Sequence, residues 1–135
     1  MPNPPVIAVV EDDAAMREAL SELLEALSLG SVVFGRAEAF LAGLSRGRFD
    51  CVITDLHLPG ISGLELQRRL KVLGSSIPVI VITSSLDPRS RNRSMEEGAF
   101  AYLTKPFSDK ALIDHVRAAL GGIDWLPKPS NNQES

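Results

Sequence analysis

Short apolar runs alternate along this chain with stretches of helical periodicity. Residues 6–10 read VIAVV and residues 79–83 read VIVIT, and such uninterrupted β-branched runs are typical of strands that are buried on both faces. The pattern predicts strands at 6–10, 31–35, 51–54, 79–83 and 101–103, and helices at 14–27, 37–44, 64–73, 88–97 and 109–120. Because strands that alternate with helices form βαβ crossovers, we expect an α/β fold with helices on both faces of a parallel sheet.

Several of the predicted helices start at residues that commonly cap helices. Asp12 or Asp13 precedes the first helix, Asp87 precedes a proline at the fourth, and Ser108 precedes the last. In the first helix, leucines repeat at helical spacing on one side, and Arg17 lies on the opposite, polar side with several glutamates. These capping residues support the helix starts independently of the apolar pattern.

The length and charge of the chain limit its organisation and its partners. Its 135 residues are enough for one domain and a short tail, and we assign 5–120 to the domain and 121–135 to a polar tail or linker stub. A net charge of -3 gives no electrostatic footprint for binding nucleic acid or an anionic membrane. We therefore expect this domain to contact neither directly.

The cysteine content and the amino-terminal sequence indicate in which cellular compartment the protein is expected. The single cysteine, Cys51, excludes an internal disulfide and a cysteine-rich zinc site. The first residues, MPNPPVIAVVEDD, lack the basic and apolar regions of a secretory signal, and no run approaches the ~20 apolar residues that span a bilayer. We expect a cytoplasmic protein.

Polar side chains follow four of the five predicted strands. In the flavodoxin-like strand order 2-1-3-4-5, the carboxyl ends of these four strands lie side by side, where open α/β sheets bind their ligands. Three carboxylates, one hydroxyl and one ammonium then converge on one crevice. They belong to Glu11, Asp12, Asp55, Thr83 and Lys105.

The balance of charge in this crevice predicts a bound cation. Two carboxylates at ~4 Å repel by about 4 kcal/mol at an effective dielectric constant near 20, and one lysine does not balance three carboxylates. Carboxylate oxygens favour Mg²⁺ or Mn²⁺, and Mg²⁺ keeps coordination positions free for phosphate oxygens. A carboxylate supported by a metal, an ammonium and a hydroxyl can attack phosphorus, and the central Asp55 is the expected nucleophile.

Each of these residues has another interpretation when it is taken alone. The acidic residues after the first strand are also typical helix caps, and Asp55 could start the turn that contains Pro59 and Gly60. Thr83 fits an ordinary strand end, and Lys105 fits a solvated lysine. Their joint position at neighbouring strand ends is what favours a single site.

Four motifs cover these strand ends: VVEDD at 9–13, VITDLHLPGISGLEL at 52–66, PVIVITSS at 78–85 and GAFAYLTKPF at 98–107. In these motifs the chain resembles the receiver domain of bacterial two-component response regulators, over about residues 5–120. AEAFL at 37–41 and SGLELQRRL at 62–70 are most similar to receivers of regulators that carry a LuxR-type helix-turn-helix. The resemblance implies a flavodoxin-like (βα)5 three-layer sandwich.

The resemblance also implies a role for each site residue. Asp55 would accept a phosphoryl group from the phosphohistidine of a sensor histidine kinase or a phosphotransfer protein. Thr83 and Lys105 would contact the phosphoryl oxygens. The implied ligands of Mg²⁺, or of Mn²⁺ in its place, are Asp12, Asp55 and the backbone carbonyl of His57, with Glu11 acting through water.

A switch is implied next to this site. Tyr102 matches an aromatic position whose ring turns inward when the hydroxyl of Thr83 moves toward the phosphate. The bond between Lys105 and Pro106 is expected to be cis. Phosphorylation is expected to remodel the face made by the fourth helix, the fifth strand and the fifth helix, through which family members form homodimers or meet their targets.

The functional class follows from the same resemblance. It implies a regulatory phosphoacceptor rather than an enzyme, with Mg²⁺-dependent self-phosphorylation from phosphodonors and slow autodephosphorylation as its only chemistry. The output is regulation of transcription or another protein contact, by a stand-alone regulator or by part of a DNA-binding one. The alternative is a receiver-like module that binds proteins without phosphorylation, and the intact Asp12, Asp55, Thr83 and Lys105 weigh against it.

Overall fold

A parallel five-stranded sheet forms the centre of the computed structural model, which describes residues 4–121. The strands are β1 (Val6–Val10), β2 (Gly30–Phe34), β3 (Cys51–Asp55), β4 (Val79–Thr83) and β5 (Ala101–Thr104). The helices are α1 (Ala14–Ala26), α2 (Ala37–Gly43), α3 (Gly63–Val72), α4 (Pro88–Glu96) and α5 (Asp109–Ala119). The order β2-β1-β3-β4-β5, with every neighbouring pair parallel, confirms the predicted fold class and strand order.

The predicted boundaries agree with the observed ones to within one residue. The second strand begins at Gly30 instead of residue 31, and the first helix ends at Ala26 instead of residue 27, which is the usual variation at element ends. The predicted domain limits of 5–120 stay a prediction. The predicted tail at 121–135 lies, from residue 122 onward, outside the described residues.

Side-chain caps fix the starts of several helices. Of the two candidates at α1, Asp13 is the cap, since its carboxylate accepts a hydrogen bond from the backbone N–H of Met16 at 3.0 Å. Asp87 caps α4 ahead of a proline at its first position, and Ser108 caps α5. The assignment of Asp13 as a cap leaves the carboxylate of Asp12 free for other chemistry.

Burial of the strands explains their continuous apolar runs. All five residues of β3 and of β4 are buried, whereas the edge strand β2 exposes Val32 and Val33. Alternate residues of β1 face opposite sides: Ile7 packs in the core with α1 and α5, and Ala8 packs in the core with α2 and α3. The central strands of the sheet are therefore covered on both faces, and the charged residue of β3, Asp55, stands at its end.

The parallel topology places all five carboxyl ends of the strands at one edge of the sheet. Every connection from a strand to the next helix crosses this edge, and functional side chains on such connections can meet there. Among residues 4–121, no helix has the length and apolar character that crossing a membrane requires.

The single cysteine offers a chemical test of this core. Cys51 is completely buried in β3, and burial raises the pKa of its thiol to about 12. Only about one thiol in a thousand is then ionised at about pH 9, whereas an unfolded cysteine is mostly thiolate at that pH. We expect iodoacetamide to alkylate Cys51 in guanidinium chloride and to leave the folded protein unmodified, as measured by intact mass. Equal alkylation rates in the two conditions would contradict the buried position.

Candidate functional site

Five side chains of the predicted site lie at the carboxyl edge of the sheet. Glu11 and Asp12 follow β1, Asp55 ends β3, Thr83 ends β4 and Lys105 follows β5. Because β1, β3, β4 and β5 are consecutive in the sheet, these ends are neighbours. The structure therefore brings to one edge the residues that the sequence predicts there.

Lys105 is the centre of the hydrogen bonds at this edge. Its ammonium group donates to Oε1 of Glu11 at 2.8 Å and to Oδ2 of Asp55 at 2.9 Å. Burial opposes a charge on Lys105, but the hydrogen bonds and negative charges of the two carboxylates together outweigh it and raise the pKa of the lysine. Lys105 is therefore a permanent cation that spans from β5 to the ends of β1 and β3.

Glu11 is the most deeply buried carboxylate of the site, with 1% of its surface exposed. Its second oxygen, Oε2, accepts a hydrogen bond from the backbone N–H of Asp13 at 3.0 Å. Burial raises the pKa of Glu11, an effect that the hydrogen bonds from Lys105 and Asp13 reduce but do not cancel. Both oxygens of Glu11 thus already accept hydrogen bonds from N–H groups of the protein.

Asp55 is held in place by its own backbone neighbours. Its Oδ1 accepts from the backbone N–H of His57 at 3.0 Å, while Oδ2 accepts from Lys105. The chain after β3 folds back close to this residue. Gly63 approaches so closely that a side chain at its position would collide with the backbone carbonyl oxygen of Asp55. The N–H of Gly63 donates to the carbonyl of Leu56 at 2.9 Å, which secures this close approach.

The donor set of the site fits a divalent cation. Carboxylate oxygens of Glu11, Asp12 and Asp55 all lie within 4.8 Å of one another, and Asp12 is exposed to solvent. Three carboxylates and the ammonium of Lys105 leave a local charge of about -2. Hard oxygen ligands with an open, solvated side suit Mg²⁺ or Mn²⁺. Within residues 4–121, no other cluster of three such residues has this geometry.

Thr83 is completely buried beside the acidic cluster. Its Oγ1 accepts a hydrogen bond from the backbone N–H of Ser85 at 3.1 Å, and its carbonyl oxygen accepts from the N–H of Lys105 at 2.7 Å. The hydroxyl of Ser85 accepts in turn from the N–H of Asp87, which caps α4, at 3.2 Å. The end of β4 is thus connected through Ser85 to the start of α4.

Tyr102 and Pro106 lie on the β5 side of the site. The ring of Tyr102 is half-buried and packs against the core that contains Val81. Its hydroxyl oxygen is buried without a hydrogen-bond partner among residues 4–121, and burial raises the pKa of the phenol. The peptide bond between Lys105 and Pro106 is cis.

Two residues of this edge have roles that the sequence interpretation does not assign to them. Arg17, expected on the polar face of α1, donates from Nη1 to the backbone carbonyl oxygens of Glu11 at 2.9 Å and Asp12 at 3.1 Å. The signal in the sequence is a basic residue near a helix start, where the helix dipole favours acidic ones. The other residue is Gly63, whose close approach to the Asp55 carbonyl has no signal in the local pattern.

Comparison with known proteins gives a consistent match. The family model described as "Response regulator receiver domain" matches residues 7–117. Transcriptional regulatory protein FixJ of Azorhizobium caulinodans is 43% identical over 122 residues, which cover 90% of this chain and 57% of that protein. Response regulator protein TodT of Pseudomonas putida is 39% identical over 115 residues, which cover 85% of this chain and 51% of that protein.

A solved structure agrees with these matches. The crystal structure of FixJ-N superposes with a TM-score of 0.80 at 34% identity, over 86% of this chain and 93% of that chain. This chain spans about half the length of the curated relatives that it matches, 51% of TodT and 57% of FixJ. The likeness therefore concerns one part of those proteins.

We predict that Asp12→Asn changes thermal stability in opposite directions without and with Mg²⁺. Without metal, the variant has a higher Tm than the parent protein, because a repelling charge is removed from the cluster. At about 100 times the Kd, Mg²⁺ stabilises the parent by about 2.7 kcal/mol through mass action, and the variant gains much less. Calorimetric melts with and without Mg²⁺ measure both effects.

Glu25→Gln, which removes an exposed carboxylate of α1, is the control and should follow the parent. A variant with an undiminished response to Mg²⁺ would exclude Asp12 as a ligand.

Proposed function

The chain belongs to the response regulator receiver domain family, and on this premise we propose that Asp55 accepts the phosphoryl group of a two-component phosphorelay. The observation that carries the proposal is the environment of the Asp55 carboxylate. It is nearly buried at the end of a central strand, is oriented by the N–H of His57 and the ammonium of Lys105, and lies within 4.8 Å of carboxylate oxygens of Glu11 and Asp12. This arrangement supplies an oriented nucleophile.

We propose that Mg²⁺, or Mn²⁺ in its place, is held by Asp12, Asp55 and the backbone carbonyl of His57, with Glu11 acting through water. When bound, the cation supplies the positive charge that lets phosphoryl oxygens approach three carboxylates. Support comes from the local charge of the site and from its oxygen donors. The exposure of Asp12 leaves one side of the cluster open to solvent and to a phosphodonor.

In the proposed transfer, an oxygen of Asp55 forms a bond to phosphorus while the bond between phosphorus and the donor's histidine nitrogen breaks. The leaving imidazole nitrogen then takes up a proton from solvent. Lys105 keeps its charge throughout and pairs with negative oxygens at the site. The phosphoryl group stays on the protein as a signal until water removes it, so the role is regulatory.

The output of phosphorylation is proposed to pass from Thr83 to α4. Because Oγ1 of Thr83 accepts from Ser85, its own O–H remains available to donate to a phosphoryl oxygen. Movement of Thr83 toward that oxygen would pull on Ser85, which is bonded to the cap of α4. The hydroxyl of Tyr102, which is buried and has no hydrogen-bond partner within the described part of the chain, supports a second arrangement of this region, since leaving such a group unpaired costs about 1–3 kcal/mol.

The proposed partners follow from this scheme. A sensor histidine kinase or a phosphotransfer protein supplies the phosphoryl group, and the face formed by α4, β5 and α5 forms a homodimer or contacts a target. Leu86, Met95 and Phe100, in or beside α4 and β5, are exposed large apolar residues. The relatives FixJ and TodT are named as a transcriptional regulatory protein and a response regulator, so we propose a role in transcription regulation.

A module that binds proteins without phosphorylation is the alternative, and it is not favoured. Such a module has no need for a buried carboxylate that faces a lysine and two further carboxylates. Burial of Glu11 is unfavourable for its charge, as its raised pKa indicates. A site that keeps this unfavourable arrangement is better explained by a chemical function.

We expect acetyl phosphate and Mg²⁺ to add one phosphoryl group to the protein, as measured by intact mass. Asp55→Asn should abolish the adduct because the amide is not a nucleophile toward phosphorus. Chelation of Mg²⁺ should abolish it as well. Asp114→Asn, which alters an exposed aspartate of α5, is the matched control and should keep the adduct. An adduct that persists in Asp55→Asn would refute the assignment of the phosphoacceptor.

We expect phosphorylation to convert the protein from monomer to dimer through the face formed by α4, β5 and α5. Phe100→Asp should prevent dimerisation and leave the mass adduct intact, because it adds a charge to an apolar contact without touching the site. Val72→Asp, at an 86% exposed position that ends α3, is the control and should dimerise like the parent. Sedimentation velocity with and without acetyl phosphate measures both variants. If phosphorylated Phe100→Asp dimerises at the same protein concentration as the parent protein, the dimer interface lies elsewhere.

A further inference from the structure

Arg17 makes an unusual pair of contacts with the acidic loop. It is the fourth residue of α1, and its guanidinium nitrogen Nη1 donates to the backbone carbonyl oxygens of Glu11 at 2.9 Å and Asp12 at 3.1 Å. The two N–H bonds of one planar nitrogen therefore hold two consecutive peptide groups. These peptides belong to the residues whose carboxylates form the cluster.

The position of Arg17 in its helix is unfavourable on local grounds. The amino terminus of a helix carries partial positive charge, so a cation near it is disfavoured. The first turn of α1 contains no acidic residue, and the carboxylate of its cap, Asp13, accepts from the N–H of Met16 rather than from Arg17. Its contact with the loop that carries Glu11 and Asp12 is the interaction that explains an arginine here.

The three carboxylates of the site are held in different ways. Glu11 accepts hydrogen bonds from Lys105 and from the N–H of Asp13, and Asp55 accepts from Lys105 and from the N–H of His57. The Asp12 side chain is exposed, so the direction of its carboxylate depends on the backbone from which it extends. Arg17 binds the two carbonyl groups that flank the Cα of Asp12, those of Glu11 and of Asp12 itself.

We propose that Arg17 is a positioning residue for the metal site: it fixes the backbone of residues 11 and 12 so that Asp12 is directed at the bound cation. The inference rests on the proposed function, in which Asp12 is a ligand of Mg²⁺. Groups that orient the ligands of a metal typically change its affinity 10- to 100-fold when they are removed, roughly.

The charge of Arg17 and its positioning role act on Mg²⁺ in opposite directions. A guanidinium close to the cluster repels a second cation, so loss of the charge alone would strengthen Mg²⁺ binding. Loss of the backbone contacts would weaken it, because Asp12 would sample directions away from the ion. The sign of the change in Kd therefore separates the two effects.

The test is the Kd of Mg²⁺ measured by isothermal titration calorimetry on the full 135-residue chain. We expect Arg17→Met to raise the Kd by about tenfold. Arg17→Gln, which keeps a pair of N–H donors without the charge, and Arg17→Lys, which keeps the charge with a compact ammonium, should both raise it less. Arg48→Met removes an exposed arginine that precedes β3, at the opposite edge of the sheet, and should leave the Kd unchanged.

Each result bears on the proposal in a defined way. A Kd that falls or stays constant in Arg17→Met overturns it and leaves the proposed metal site intact. The thermal melt of Arg17→Met shows whether this variant folds. If it does not, the proposal is overturned when Arg17→Lys and Arg17→Gln both bind Mg²⁺ with the Kd of the parent protein. A folded parent protein that binds no Mg²⁺ overturns the metal part of the proposed function, and the role of Arg17 with it.

Discussion

A single ammonium group, that of Lys105, holds the two buried carboxylates of the site together. It lies 2.8 Å from Glu11 and 2.9 Å from Asp55, and it links the strand end after β5 with those of β1 and β3. Without it, two carboxylates that are almost fully buried would face each other uncompensated, which is costly at low dielectric. The sheet order makes the contact possible, because it brings residues that are 94 and 50 positions apart to one edge.

The same edge carries more negative charge than Lys105 balances. This excess charge lowers the stability of the folded protein and also favours the binding of a cation. Glu11 ionises less readily than usual because it is buried, and Asp12 adds a third carboxylate on the exposed side. The folded protein therefore retains a repulsion between carboxylates that a bound divalent cation would relieve. Sites that carry out chemistry often keep such unfavourable arrangements at the expense of stability.

The helix α4 is connected to the site at its start and to α3 along its length. Ser85 links Thr83 to the cap of α4, whereas the side-chain amide of Gln67 in α3 donates to the carbonyl of Ser94 at 3.0 Å. Glu97, at the end of α4, accepts hydrogen bonds from Arg68 and Lys71 of α3, which lower its pKa. The helix α4 is therefore hydrogen-bonded both to the end of β4 and to α3.

The sequence by itself determined the ten elements and the five residues that stand at the carboxyl ends of the strands, and the resemblance of its motifs to receiver domains supplied the strand order. It did so because burial on both faces requires continuous apolar strands, and a parallel sheet places every strand end on one side. The individual hydrogen bonds were decided only by the tertiary structure. Asp13 rather than Asp12 caps α1, and Arg17 turns from the polar helix face onto two carbonyl oxygens. Such choices depend on how α1 packs against the sheet, where tenths of an ångström decide which donor reaches which acceptor.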